Sequence, residues 1–133
     1  MAVRSALRLD LNNRPGELAK ALRPIAQAGV NLNAIAGVAT GQSSLLALLP
    51  SDLPAAMNAL QHAGVSAEQV DVVVTWLPNR PGSLLAACDA LGGAGINIDA
   101  VYVVSTDPAQ GVQVTIECHD AKQADQVLAG VSF

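Results

Sequence analysis

Two copies of the tetrapeptide Asn-Arg-Pro-Gly carry the residues of this sequence best suited to holding a small polar ligand. They span residues 13–16 and 79–82, and each lies at the predicted start of a helix. The first turn of a helix presents unpaired backbone N–H groups and the positive end of the helix dipole, which suit a carboxylate. An asparagine amide both donates and accepts hydrogen bonds, and glycine lets a ligand approach the backbone closely. These properties together would suit a free amino acid.

The two tetrapeptides belong to a longer internal repeat with an offset of 66 residues. Ten of the 23 positions from Asn13 to Ile35 are identical to the positions 66 residues later. The identities include a second asparagine, Asn31 in the first copy and Asn97 in the second, which follows the predicted end of the helix. A repeat of this kind predicts two copies of one structural unit.

Hydrophobic periodicity predicts the same order of elements in each copy: strand, helix, strand, strand, helix. We therefore expect an α+β protein of two tandem ferredoxin-like (βαββαβ) units, 1–66 and 67–133, with antiparallel sheets and helices on one face. A fourth strand of the first copy is either vestigial or supplied by one long strand around Val70 that serves both copies. The predicted strands are 5–11, 32–39, 44–49, 70–77, 98–105 and 112–118, and the helices begin near residues 15, 52, 81 and 121.

The first helix of each copy is expected to bury one apolar face against its sheet. Pro24 should kink the helix of the first copy and Gly29 should end it. The very apolar strand 44–49 predicts that both of its faces are covered. The expected buried residues are Leu18, Leu22 and Ile25 in the first copy and Leu84, Cys88 and Leu91 in the second.

The order of elements, with Asn-Arg-Pro-Gly before the first helix and Gly-Val-Asn-Leu or Gly-Ile-Asn-Ile after it, resembles the ACT domain. That family comprises small ferredoxin-like modules that bind amino acids and regulate metabolic enzymes. The resemblance extends over nearly the whole chain and is strongest to short stand-alone double-ACT proteins without a catalytic domain. It implies ligand-binding residues at matching positions of both copies: Asn13, Pro15, Gly16, Asn31, Asn79, Pro81, Gly82 and Asn97.

The serine-binding ACT domain of phosphoglycerate dehydrogenase has a histidine two residues before the first asparagine of the motif. Leu11 and Leu77 stand at that position here. The resemblance therefore does not carry serine over as the ligand.

Each asparagine also has a purely structural interpretation. Asparagine before Pro-Gly is a common turn or capping residue, and asparagine after glycine is common at a helix exit. Arg14 and Arg80 are typical of solvated residues at a helix start. Two further functions stay open: an interaction or scaffold module with degenerate ligand sites, and a small enzyme on a ferredoxin-like scaffold.

Composition narrows the classes of function. Hydrophobic residues make up 51% of the chain and charged residues 14%, so disorder is excluded. The net charge of −4 comes without a basic stripe, which argues against nucleic-acid binding and against docking to an anionic membrane. No apolar run is long enough to span a membrane.

Candidate catalytic and metal-binding groups are few. The spacing of His62, His119, Cys88 and Cys118 suits neither a zinc site nor a nucleophile with its base. We therefore expect a cytoplasmic, non-enzymatic protein with no metal and no cofactor. Its expected partners are a small amino acid, a second copy of the chain in a homodimer, and a metabolic enzyme or regulator in trans.

Overall fold

The computed structural model describes residues 2–133, which form an α+β fold of six antiparallel strands and four helices. Every predicted strand and helix is present, so the predicted α+β class is confirmed. In chain order the elements are β1 (Ala2–Asn12), α1 (Glu17–Gln27), β2 (Leu32–Thr40), β3 (Ser43–Pro50), α2 (Leu53–His62), β4 (Glu68–Leu77), α3 (Ser83–Gly93), β5 (Ile98–Asp107), β6 (Gly111–Cys118) and α4 (Ala121–Ala129).

The chain divides into two compact units. The first comprises residues 5–70, and the second comprises residues 71–133 together with residues 2–4. Strand β4 begins inside the first unit and continues into the second. Within the first unit, Gln69 Nε2 donates a hydrogen bond to Ser5 Oγ at 3.1 Å. The segment after α2 is thus one long strand, β4, which passes through Val70.

In the first unit, β3 lies between β2 and β1 and pairs antiparallel with both. Leu9 of β1 pairs with Leu46 of β3, and Leu7 pairs with Leu48. Because side chains alternate along a strand, these four leucines share one face. They form the core of the unit with α1 and α2, which contribute Ala21, Ile25, Ala56 and Leu60.

The second unit repeats this arrangement, with β6 between β4 and β5. Helices α3 and α4 pack on the face of the sheet that carries Val73, Leu77, Val114 and Ile116. The helical residues of this core are Ala87, Leu91, Ala121, Ala124 and Leu128. The two cores thus use equivalent positions of the repeat and contain small and medium aliphatic side chains.

The ends of α1 follow from backbone chemistry. Gly29 has φ +73°, a left-handed conformation that ends the helix, as expected. The Val30 N–H then donates to the Ile25 carbonyl at 3.2 Å, which satisfies an acceptor of the last turn. Pro24 lies inside the helix, which continues through it to Gln27.

Two predicted core residues are not buried. Leu18 is 48% exposed and Leu84 is 42% exposed, so the prediction that both face the core was wrong. They stand in the first turn of α1 and α3, and the helical part of each core begins one turn later, at Ala21 and Ala87. Cys88, also expected in the core, is only half-buried.

The apolar strand β3 is covered unevenly. Leu46, Leu48 and Leu49 are buried, but Leu45 is 41% exposed. Leu45 pairs with Val38 of β2, which is 60% exposed. Within a single chain, the face of this strand that carries Leu45 is therefore uncovered.

Helix α3 allows a test of the core with a matched control. Leu91 is fully buried, whereas Leu85 is 63% exposed on the same helix. We expect Leu91→Ala to lower the free energy of unfolding of the second unit by about 2–5 kcal/mol, because it removes apolar contacts and leaves a cavity. Leu85→Ala should change it by less than about 0.5 kcal/mol.

Urea unfolding followed by the fluorescence of Trp76 measures both variants, since this single tryptophan lies in the second unit. Equal effects of the two substitutions would contradict the placement of α3.

Candidate functional site

The first Asn-Arg-Pro-Gly segment forms a tight turn directly before α1. The Glu17 N–H donates to the Arg14 carbonyl at 3.3 Å. Gly16 has φ +85° and ψ −10°, which are the values of the third residue of a type II turn. Proline is favoured at the second position of such turns, where Pro15 stands. The helix therefore begins at Glu17, which is two residues later than the start near Pro15 that the sequence predicts.

The second segment forms the same turn before α3. The Ser83 N–H donates to the Arg80 carbonyl at 3.3 Å, and Gly82 has φ +91° and ψ −11°. Since L side chains rarely adopt such angles, both turns require glycine for conformational reasons. The recurrence of Pro81 and Gly82 is therefore explained by chain geometry, without a ligand.

Asn13 ties the first turn to the hairpin between β2 and β3. Its Nδ2 donates to the Gly41 carbonyl at 2.9 Å, and its backbone N–H donates to the Gln42 carbonyl at 2.8 Å. Within residues 2–133 no donor contacts its Oδ1 atom. The amide is thus held in one orientation with an acceptor available.

Asn79 has different surroundings. Its side chain makes no hydrogen bond within the described part of the chain. It borders an open cavity of about 760 Å³ with Trp76, Pro78 and the hairpin residues 106–111. That hairpin approaches the turn through backbone, since a Cβ on Gly111 would overlap the Leu77 carbonyl group.

A smaller cavity of about 290 Å³ lies at the first turn. Its volume is at the lower end of the roughly 300–1,000 Å³ of small-molecule sites, which favours a small ligand. The turn, the start of α1 and the strands β2 and β3 enclose it. Its lining residues are Leu11, Asn12, Asn13, Arg14, Glu17, Leu18, Gly37, Val38, Ala39, Ser44 and Leu46.

The lining of this cavity includes both charged and apolar side chains. Arg14 Nη2 and Glu17 Oε1 form an ion pair at 2.8 Å, with side chains 66% and 20% exposed. The apolar part of the lining includes Leu18 and Leu46. Opposite charges beside an apolar wall match the charges and side chain of a free amino acid.

The second asparagine of each copy lies away from these cavities. The Asn31 N–H donates to Ser51 Oγ at 3.0 Å, and its Nδ2 donates to Asn33 Oδ1 at 3.4 Å. Asn97 Nδ2 donates to Asp99 Oδ1 at 3.0 Å in the same way. Helix α1 has 11 residues, so about 16 Å separates its ends. One amino acid does not reach both Asn13 and Asn31 within one unit.

Sequence reasoning did not assign a site role to Glu17, Leu18, Gly37 or Leu46. Leu18 was expected in the core, and Leu46 lies in the apolar strand 44–49. One signal for Gly37 was present, because a glycine inside a predicted strand is unusual and the repeat places Val103 at the matching position.

Among residues 2–133, no group of three His, Cys, Asp or Glu side chains could hold a metal ion. Burial raises the pKa of the Cys118 thiol, a backbone hydrogen bond with Asp120 opposes this, and the negative charges of Asp99 and Asp120 add to it. No helix in the described part of the chain is long and apolar enough to cross a membrane.

The two cysteines should differ in reactivity. Iodoacetamide attacks the thiolate, and the raised pKa of the Cys118 thiol lowers the fraction of it that is ionised at a given alkaline pH. Cys118 is also 5% exposed, while Cys88 is half-buried. We expect Cys88 to be alkylated first, as read by peptide mass spectrometry. Faster alkylation of Cys118 would show that its environment is described incorrectly.

Comparison with known proteins supports the resemblance for the second copy. The family model of the ACT domain matches residues 72–129, a little less than half of the chain. A comparison with curated protein sequences found no significant match.

Solved structures share the fold over nearly the whole chain. Protein BT0572 from Bacteroides thetaiotaomicron superposes with a TM-score of 0.84 at 25% identity, over 96% of this chain and 87% of that chain. The regulatory subunit of aspartate kinase from Thermus thermophilus gives a TM-score of 0.67 at 16% identity, over 97% and 96%. Its counterpart from Thermus flavus gives 0.60 at 17% identity, over 97% and 95%.

Proposed function

We propose that this protein is a non-enzymatic regulatory protein of two tandem ferredoxin-like ACT units that binds a small amino acid and signals to a partner enzyme or regulator. The cavity at the first Asn-Arg-Pro-Gly turn carries the proposal. It combines the Arg14–Glu17 ion pair, the oriented amide of Asn13 and an apolar wall within about 290 Å³.

In the proposed complex, the two charged groups of the ligand bind Arg14 and Glu17 in place of the direct contact between these two side chains. The carboxylate of the ligand binds the Arg14 guanidinium, and its ammonium binds the Glu17 carboxylate and the Asn13 Oδ1 atom. Arg14 is two-thirds exposed, and exposed ion pairs contribute only about 0–1 kcal/mol. Opening the Arg14–Glu17 contact therefore costs little compared with the charge-assisted hydrogen bonds that replace it.

Binding would add contacts among three segments: the turn, the start of α1 and the β2–β3 hairpin. Asn13 already joins the turn to the hairpin. A ligand that bridges them favours one arrangement of this surface. A partner that recognises that arrangement then binds more tightly, and by linkage it tightens ligand binding by the same factor. The regulatory subunits of aspartate kinase among the fold neighbours suggest a non-catalytic subunit as the type of protein.

We also propose that the chain forms a homodimer. Val38 and Leu45 are paired across β2 and β3 and are 60% and 41% exposed. Exposed apolar pairs on a sheet are commonly covered by another chain. A second copy is the proposed occupant, and a monomer by analytical ultracentrifugation would contradict this part of the proposal.

An interaction module without a ligand is the second candidate. It is favoured by the exposed apolar residues of the second unit: Leu84, Leu85, Val101 and Val103.

A screen of the 20 common amino acids by thermal shift, followed by calorimetry, tests the proposal. A ligand at 100 times its dissociation constant stabilises the folded state by about 2.7 kcal/mol. Glu17→Gln should weaken binding about tenfold or more, because a hydrogen bond to a charged group contributes about 1.5–3 kcal/mol. Asn13→Ala should weaken it as well.

Asn31→Ala is the matched control and should leave the affinity unchanged, since Asn31 bonds to Ser51 and Asn33 instead. If no amino acid binds in calorimetry, the interaction module becomes the better account. If binding survives Glu17→Gln and Asn13→Ala unchanged, the ligand binds elsewhere.

A further inference from the structure

Gly37 has no conformational reason to be glycine. It lies in the middle of β2, and it is absent from the glycines with positive φ in residues 2–133. The pairing of β2 with β3 shifts only between Leu32 and Ala34, so Gly37 is not in a bulge. Glycine in a strand interior costs about 0.5–1 kcal/mol relative to alanine. Where neither a turn nor a bulge requires it, such a glycine commonly marks close approach of a ligand or of another backbone.

The space beside Gly37 belongs to the cavity of the first unit. A Cβ atom at this position would lie 3.2 Å from Leu46 Cδ1, which is tighter than an ordinary contact. Gly37, Leu18 and Leu46 all line this cavity. Leu18 is 48% exposed, so much of its apolar surface is uncovered. An aliphatic group of the ligand, placed over Gly37, would contact both leucines.

The second unit fills the matching position. Gly37 pairs with Leu46 in the first unit, and Val103 pairs with Val114 in the second. The neighbouring pairs Ile35–Leu48 and Val101–Ile116 confirm the equivalence. The second unit therefore carries a valine side chain at this position, whereas in the first unit Gly37 has none and Leu46 Cδ1 lies 3.2 Å from where a Cβ atom would be.

The charge of the site also differs between the units. Glu17 is the first residue of α1, and Ser83 is the first residue of α3. Ser83 is 7% exposed and carries no charge. At the first turn an ammonium group therefore has the Glu17 carboxylate as a partner. The carboxylate that lines the cavity of the second unit, Asp107, already accepts the N–H groups of Ala109 and Gln110 through its Oδ1 atom.

We propose that the first unit alone binds the ligand, that the ligand is an α-amino acid with an aliphatic side chain, and that Gly37 determines this specificity. The inference rests on the proposed function and adds to it the class of ligand and the unit that binds it. Val103 and Ser83 make the second unit a structural copy without a ligand.

Calorimetry of the full chain with L-leucine tests the proposal. We expect one leucine per chain, weaker binding of L-aspartate, L-lysine and L-serine, and none of 4-methylpentanoate or isopentylamine, which each lack one of the two charges. Gly37→Val copies the second unit and should weaken leucine binding by at least about tenfold, since a single methylene in an apolar pocket changes affinity 10–200-fold. L-alanine, which does not reach Gly37, should lose less affinity than leucine.

Val103→Gly is the matched control and should leave both the affinity and the stoichiometry of one unchanged. Circular dichroism checks the fold of Gly37→Val, and valine is favourable in a strand. If that variant does not fold, Gly37→Ala replaces it and should show the same selective loss for leucine.

Three results would overturn the inference and leave the proposed function standing: two leucines per chain, full affinity of folded Gly37→Val, or a preference for a polar amino acid. Absence of binding by every amino acid would overturn the proposed function and this inference with it.

Discussion

The residues that line the proposed site are positioned by a turn, and this turn depends on the left-handed backbone conformation of its glycine. Gly16 at φ +85° closes a type II turn, so that the chain reverses within four residues and α1 begins at once. Arg14 and Glu17 stand at the two ends of that turn, which brings their side chains within 2.8 Å. The hydrogen bond from Asn13 Nδ2 to the Gly41 carbonyl then holds the β2–β3 hairpin next to the turn. The cavity lies between these segments.

The two units share this turn and differ in what surrounds it. In the first unit an asparagine side chain bridges to the hairpin, while in the second the backbone of Gly111 packs directly against the chain at Leu77. The repeated tetrapeptide thus preserves the turn that precedes the first helix of each unit. The side chains that give the first site its charge and its space, Glu17 and Gly37, are not preserved.

Much of the fold could be predicted from the sequence because it depends on local patterns. Alternating apolar residues or short apolar runs predicted every strand, and the helix stop at Gly29 followed from glycine's tolerance of positive φ. For the segment around Val70 the sequence left two alternatives, a vestigial strand or one long strand, because a strand that passes from one unit into the next has no signal in either repeat. The exposure of Leu18 and Leu84 was also missed, because helical spacing does not reveal where a core begins along the helix.

The candidate site was only half visible in the sequence. The repeat predicted ligand-binding residues both in the turn at Asn13 and at Asn31. Asn31 lies at the far end of α1, where its side chain donates a hydrogen bond to Asn33. Identity between copies selects residues that both copies need for folding. Residues that distinguish one copy from the other are found by comparing matching positions, such as Gly37 and Val103. Their functional role can be inferred only when the fold shows which of them line a cavity.

The central claim is that an aliphatic amino acid occupies the cavity of the first unit. Two-dimensional ¹⁵N–¹H correlation spectra recorded during titration with L-leucine test it most directly, because they report on each backbone amide separately. The account predicts shifts concentrated at residues 12–18 and 37–39, with the amides of residues 79–85 and 103–111 unchanged. Shifts confined to the second turn, or equal shifts at both turns, would contradict it.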